Sequence, residues 1–128
     1  MTPSAGSERI GKPSFARNDQ RGLFVEILNE GPWETIIHGA MNPGGELGKH
    51  YHKRTLAFFY LTSGSADVKI RNVASDERWS LVLEAGQGVY FQPYETHVIR
   101  FREPTAFVFV KSRRFSADDP DLYPAPVD

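Results

Sequence analysis

Pro43-Gly44-Gly45-Glu46-Leu47-Gly48-Lys49-His50-Tyr51-His52 runs, after three polar residues, into Leu56-Ala57-Phe58-Phe59-Tyr60-Leu61-Thr62 and stops at Ser63-Gly64. The proline and glycines end one element, and a new one begins almost at once. His50 and His52 are separated by one residue, so on a strand their imidazoles share a face and Tyr51 takes the other. The run 56–62 is apolar at every position but its end, is short, and is bounded by glycine. A strand covered on both faces reads this way. Alternation puts Phe59 and Leu61 on one side and Phe58 and Tyr60 on the other, and leaves open which side faces the interior.

The same punctuation continues outward in both directions. Leu23 to Leu28 is strand-like and ends at Asn29-Glu30-Gly31-Pro32. Trp33 to Met41 ends at Asn42-Pro43. Ala66-Asp67-Val68-Lys69-Ile70-Arg71 alternates strictly, which predicts one buried and one wet face. Trp79 to Leu83, Val89 to Gln92, His97 to Phe101 and Ala106 to Lys111 complete the set. Many short strands with Gly and Pro between them, and no stretch of helical period, predict an all-β sandwich or barrel. The expected organisation is an N-terminal arm over 1–18, loose or contacting a partner, a barrel over 19–115, and a polar tail over 116–128.

Bulk properties exclude several classes. The chain has 128 residues, a formal net charge of -1 and no cysteine. Its length fits one domain with a real core. The charge balance asks for neither nucleic acid nor an anionic membrane. Without cysteine there is no disulfide, thiolate metal site or cysteine nucleophile. The first residues, Met1 to Arg9, carry no apolar signal core, and no window reaches the roughly 18 apolar residues of a spanning helix. A cytoplasmic protein is the expectation.

Of four histidines, three have a suggestive setting. His97 follows the turn Pro93-Tyr94-Glu95-Thr96, far along the chain from His50 and His52, and a barrel brings such strands together. Three neutral imidazoles suit a divalent ion such as zinc, nickel, copper, iron or manganese, with positions left open for substrate. The same groups, with no metal, suit general-base chemistry near neutral pH. A His-x-His pair is also compatible with plain surface polarity. His38 reads as a structural strand residue. Tyr60 is a candidate proton donor or an ordinary packing residue. Arg21 is a candidate anion-binding group or a surface ion pair. Phe59 and Tyr90 are candidates for an aromatic wall against a ring-shaped ligand.

At these residues the chain resembles the cupin superfamily, whose fold is a jelly-roll β-barrel. Gly44, His50-Tyr51-His52 and Gly64 resemble the first cupin motif. Gly86-Gln87-Gly88, Pro93 and His97 resemble the second. Within cupins, Asp19-Gln20-Arg21-Gly22-Leu23-Phe24 and Gly44 to Lys53 resemble the isomerases and epimerases that act on sugar nucleotides. Phe115 to Tyr123 resembles the tail of the cupin domain in capsular polysaccharide reductases. The resemblance implies a single-domain cupin acting on a keto-sugar, with His50 as the base.

The chain departs from the pattern at several positions. Leu56 or Ala57 stands where the first motif has a glutamate ligand, leaving at most His50, His52 and His97 for a metal. Leu47 stands where the sugar enzymes carry a basic residue, and strand alternation turns Lys49 away from His50. The expected function is therefore an isomerase or epimerase of a keto-sugar, with or without a metal. A redox-metal dioxygenase and a non-catalytic ligand-binding cupin are the alternatives. A homodimer is expected, with residues 8–18 exchanged to cover exposed sheet edges.

Overall fold

Ala66, Val68 and Ile70, alternate residues of one strand, are fully buried, and Lys69 between them is exposed. This is the wet-and-dry strand that the sequence predicts. The computed structural model describes residues 4–128. Its strands are β1 (Ser4–Ala5), β2 (Ile10–Gly11), β3 (Phe15–Asp19), β4 (Gly22–Glu26), β5 (Thr35–Met41), β6 (Glu46–Tyr51), β7 (Ala57–Ser63), β8 (Ser65–Asn72), β9 (Arg78–Glu84), β10 (Gly88–Phe91), β11 (Glu95–Phe101), β12 (Thr105–Lys111) and β13 (Tyr123–Pro124).

A six-stranded sheet runs β1-β9-β8-β11-β6-β13 and a five-stranded sheet runs β2-β10-β7-β12-β5. All pairings are antiparallel except β1 with β9. Strands distant in the chain lie side by side, as in the jelly-roll barrel of the cupins. Among the described residues, no helix is long and apolar enough to cross a membrane.

Two apolar layers explain why β7 is buried on both faces. Phe59 and Leu61 point inward with Ile70, Leu83, Ile99 and Phe101. Phe59 lies 5.2 Å from Phe107 and 5.1 Å from Phe109 between ring centroids, so aromatic rings fill the barrel. Phe58 and Tyr60 point outward with Val110, beneath Ile27, Leu28 and Trp33. The open choice of face is thus decided: Phe59 is inside and Tyr60 is outside.

Three parts of the chain differ from expectation. Residues 4–11 lie on the barrel as the edge strands β1 and β2, and Arg9 makes an ion pair of 2.5 Å with the buried Glu95. The first three residues of the expected arm lie outside the described residues. Residues 15–26 form a separate two-stranded hairpin, β3-β4. The tail is not merely an outer segment: β13 pairs with β6, and both Asp121 and Val127 are buried.

Candidate active site

The geometry begins with a bulge. His97 pairs with His50, but the next residue, Val98, pairs with Gly48, so Lys49 is the extra residue in β6. Gly48 (φ 113°) and Lys49 (φ 64°) both have left-handed backbones. A Cβ on Gly48 would collide with the His97 carbonyl, so only glycine fits. The bulge reverses the alternation of the strand. Leu47, opposite the buried Ile99, packs on the core, and His50 faces the same interior. Lys49 points outward to Glu46, 3.2 Å away.

The structure brings His50, His52 and His97 together. Ring centroids are 5.4 Å apart for His50 and His52 and 5.2 Å for His50 and His97. His97 lies flat on Phe91, 3.9 Å between centroids, at 1% exposure. His50 and His52 line a cavity of about 300 Å³, and His97 does not. Opposite them, from the other sheet, stand Thr35 and Ile37 of β5 and Lys111 of β12. Arg113, Arg114, Phe115 and the tail at 119–122 complete the wall.

Hydrogen bonds fix the tautomers. The Asp121 carbonyl only accepts, so His52 Nδ1, at 2.6 Å, must carry a proton. His50 Nδ1 stands 3.2 Å from the Gly48 carbonyl and likewise donates. In each neutral ring Nε2 then holds a lone pair. Burial, then the charge of His52 and of Lys111, pushes the His50 imidazole below the usual histidine range, against the Gly48 hydrogen bond. Burial likewise lowers His52, opposed by its bond to Asp121, and holds His97 well below the histidine range. All three rings favour the neutral form.

The Asp121 carboxylate anchors the tail. It accepts from the Lys53 N–H (2.9 Å), the Arg54 N–H (3.0 Å) and the Thr55 hydroxyl (2.7 Å). Burial opposes its ionisation, but these three donors outweigh burial and hold it below the usual carboxylate range.

The metal set expected from the sequence is His50, His52 and His97. His52 Nε2 and His97 Nδ1 are buried without partners. Yet among the described residues no three His, Cys, Asp or Glu side chains stand at a spacing that holds an ion.

Four other candidate residues stand away from this cavity. Tyr60 lies on the outer face of its sheet, packed with Phe58 and Val110, and cannot donate a proton into the cavity. Tyr90 is on that same outer face, stacked near Trp33 with centroids 6.4 Å apart. Phe59 is wholly buried in the aromatic core and does not line this cavity. Arg21 sits exposed at the β3-β4 turn, bound to Asp19 at 2.7 Å. A somewhat larger hollow of about 350 Å³ lies outside the barrel by Trp33 and Tyr90, but no imidazole, lysine or arginine lines it.

Lys111, Arg113, Arg114 and Asp121 went unread as site residues. A signal for Lys111 was present: Phe107, Phe109 and Lys111 alternate along β12, and the two phenylalanines face inward. Three basic residues that neighbour the histidine segments in the chain are engaged elsewhere. Lys53 lies over the Tyr123 ring, Arg54 binds Asp119, and Arg100 binds Glu46.

The family model described as "Polysaccharide biosynthesis C-terminal domain" matches residues 17–123. No match is found among the curated proteins. Among solved structures, the capsular polysaccharide assembling protein CapF of Staphylococcus aureus is similar at TM-score 0.68 and 23% identity, over 88% of this chain and 34% of that one. This chain thus spans about a third of CapF. The WlaRB TDP-quinovose 3,4-ketoisomerase of Campylobacter jejuni is similar at TM-score 0.75 and 20% identity, over 90% of each chain. The dTDP-4-dehydrorhamnose 3,5-epimerase of Sulfolobus tokodaii is similar at TM-score 0.75 and 14% identity, over 88% of this chain and 73% of that one. At these identities the likeness is one of fold, the cupin jelly roll.

Proposed function

Because the chain belongs to the polysaccharide biosynthesis C-terminal domain family, we propose that it is an isomerase or epimerase of a nucleotide-linked keto-sugar. One observation carries the reading. His50 is a neutral imidazole at a cavity wall, with Nδ1 committed to Gly48 and Nε2 free to take a proton.

His50 Nε2 removes the proton from the carbon next to the sugar's carbonyl. The bonding pair moves into a carbon–carbon double bond, and the carbonyl oxygen becomes an enolate. Returning the proton to the opposite face gives an epimer. Returning it to the neighbouring carbon, after the enediol proton moves, gives the isomeric ketone. No electrons leave the substrate. Arg113 and Arg114 at the wall suit the charges of a diphosphate, and a volume of about 300 Å³ accommodates a hexose ring. Solved neighbours described as a 3,4-ketoisomerase and a 3,5-epimerase support this chemistry class.

The functional unit is proposed to be a homodimer. The β3-β4 hairpin exposes Phe15, Leu23 and Phe24, and the edge strand β5 exposes Ile36.

The experiment is incubation with dTDP-4-keto-6-deoxyglucose in deuterated water. Deuterium at a carbon beside the ketone is expected, and His50→Asn abolishes it. Recovered sugar free of deuterium overturns the reading, and tight binding without exchange favours a ligand-holding cupin instead.

A further inference from the structure

Lys111 is half-buried at the end of β12, yet it forms no ion pair among the described residues. Its ammonium lies over the Phe109 ring, 5.1 Å from the centroid. A buried cation without an anion loses hydration that a ring face only partly replaces. The acids of the cavity cannot serve it. Asp119 is bound to Arg54 at 2.6 Å and lies 3.8 Å from Arg113. The Asp121 carboxylate is spent on Lys53, Arg54 and Thr55. Of the other polar groups at the cavity, Thr35 and Thr55 donate their hydroxyls to the Arg113 carbonyl and to Asp121, Arg113 and Arg114 are cations, and His50 and His52 are neutral rings whose Nδ1 protons are already donated. Lys111 therefore carries its positive charge without an acid partner, opposite the His50 imidazole.

Arg113 and Arg114 line the same cavity, but Arg113 lies against Asp119 and Arg114 is exposed, so Lys111 is the half-buried cation across from the base, the charge pattern of an enolisation. As the base takes a proton from carbon, negative charge appears on the carbonyl oxygen. A fixed donor in a cavity shielded from water stabilises that oxygen far more than it does the neutral ketone. We propose that Lys111 is a catalytic residue that donates a hydrogen bond from its ammonium to the carbonyl oxygen of the substrate and stabilises the enolate formed when His50 removes the adjacent proton. This rests on the isomerase reading above and supplies the oxyanion donor that Tyr60, on the outer face, cannot be. The bond broken is carbon–hydrogen and the bond formed is nitrogen–hydrogen on His50. The Lys111 proton is shared with the oxygen and returns when the ketone re-forms. Burial weakens the hold of Lys111 on that proton relative to an ordinary lysine, which strengthens it as a donor.

The test compares the unmodified protein, Lys111→Met and Lys111→Arg with dTDP-4-keto-6-deoxyglucose in deuterated water, following exchange rate, substrate Kd and melting temperature. Lys111→Met is expected to slow exchange about 100- to 1,000-fold while Kd changes less than about tenfold, the pattern of lost transition-state stabilisation. Lys111→Arg is expected to recover part of the rate. If the unmodified protein exchanges and both folded variants stay within about threefold of it, the Lys111 assignment is overturned and the isomerase reading survives. If Kd rises as much as the rate falls, Lys111 is only a binding group and the assignment is likewise overturned. If the unmodified protein does not exchange, both fall together.

Discussion

The Nδ1 proton of His52 is held by the main-chain carbonyl of Asp121, 2.6 Å away, while the carboxylate of that residue binds the loop that follows His52. One residue of the tail therefore sets both the tautomer of a cavity imidazole and the path of the chain beside it. Its backbone is left-handed (φ 49°), so carbonyl and side chain reach different partners at once.

Replacing Asp121 by Ala leaves two amides and a hydroxyl without an acceptor in a buried place. The expected loss is about 2–4 kcal/mol, measurable by urea denaturation, and Asp121→Asn should lose less. The pH dependence follows from the direction of its shift. A carboxyl held below its ordinary value of 3.8 contributes stability above that value, and the contribution disappears as pH falls through the lower folded value. Asp121→Asn should therefore flatten the acid limb of the stability curve. An unchanged acid limb would contradict the anchoring role.

Gly48→Ala sets a methyl group against the His97 carbonyl at a backbone angle that disfavours L-residues. Melting should drop by an amount equivalent to about 2–4 kcal/mol, and exchange activity should fall more steeply than stability, since His50 and His97 are paired through this bulge. A variant as stable and active as the parent would show that the bulge is dispensable.

The rate should report the state of His50. As a base it works only when unprotonated, and its affinity for the proton is lowered from the ordinary 6.5. The kcat/KM for solvent exchange should thus rise with pH along a limb centred below that value and be level through neutrality. A limb centred above it would assign the proton to another group.

Light scattering should give about twice the monomer mass of 14.4 kDa at low micromolar concentration. Phe24→Asp, on the exposed hairpin, should shift the protein toward monomer. A monomer for the unmodified chain removes the dimer proposal.

Much of this was legible in the chain because burial leaves a period. Ala66, Val68 and Ile70 announced β8, and the doubly apolar run 56–62 announced a strand covered on both sides. The two-residue strands β1, β2 and β13 carry no period to read. The convergence of His50, His52 and His97 was visible because a jelly roll aligns distant strands. The side of Tyr60 was not legible because alternation gives two faces without saying which is inner, and the cover from Ile27 and Trp33 decides it. Asp121 lies in a stretch that the sequence marks only as a polar tail; only the fold reveals three donors aimed at it.

The extra residue at Lys49 acts as a phase shift in the strand. Leu47 and His50 face one interior across an odd separation that a regular strand would split between its two sides. A chain lacking Lys49 would keep Leu47 and His50 on one side, two residues apart on a regular strand. What the extra residue adds is local: it bends and twists β6 beside the cavity imidazole, so its removal would re-aim the ring rather than turn it away.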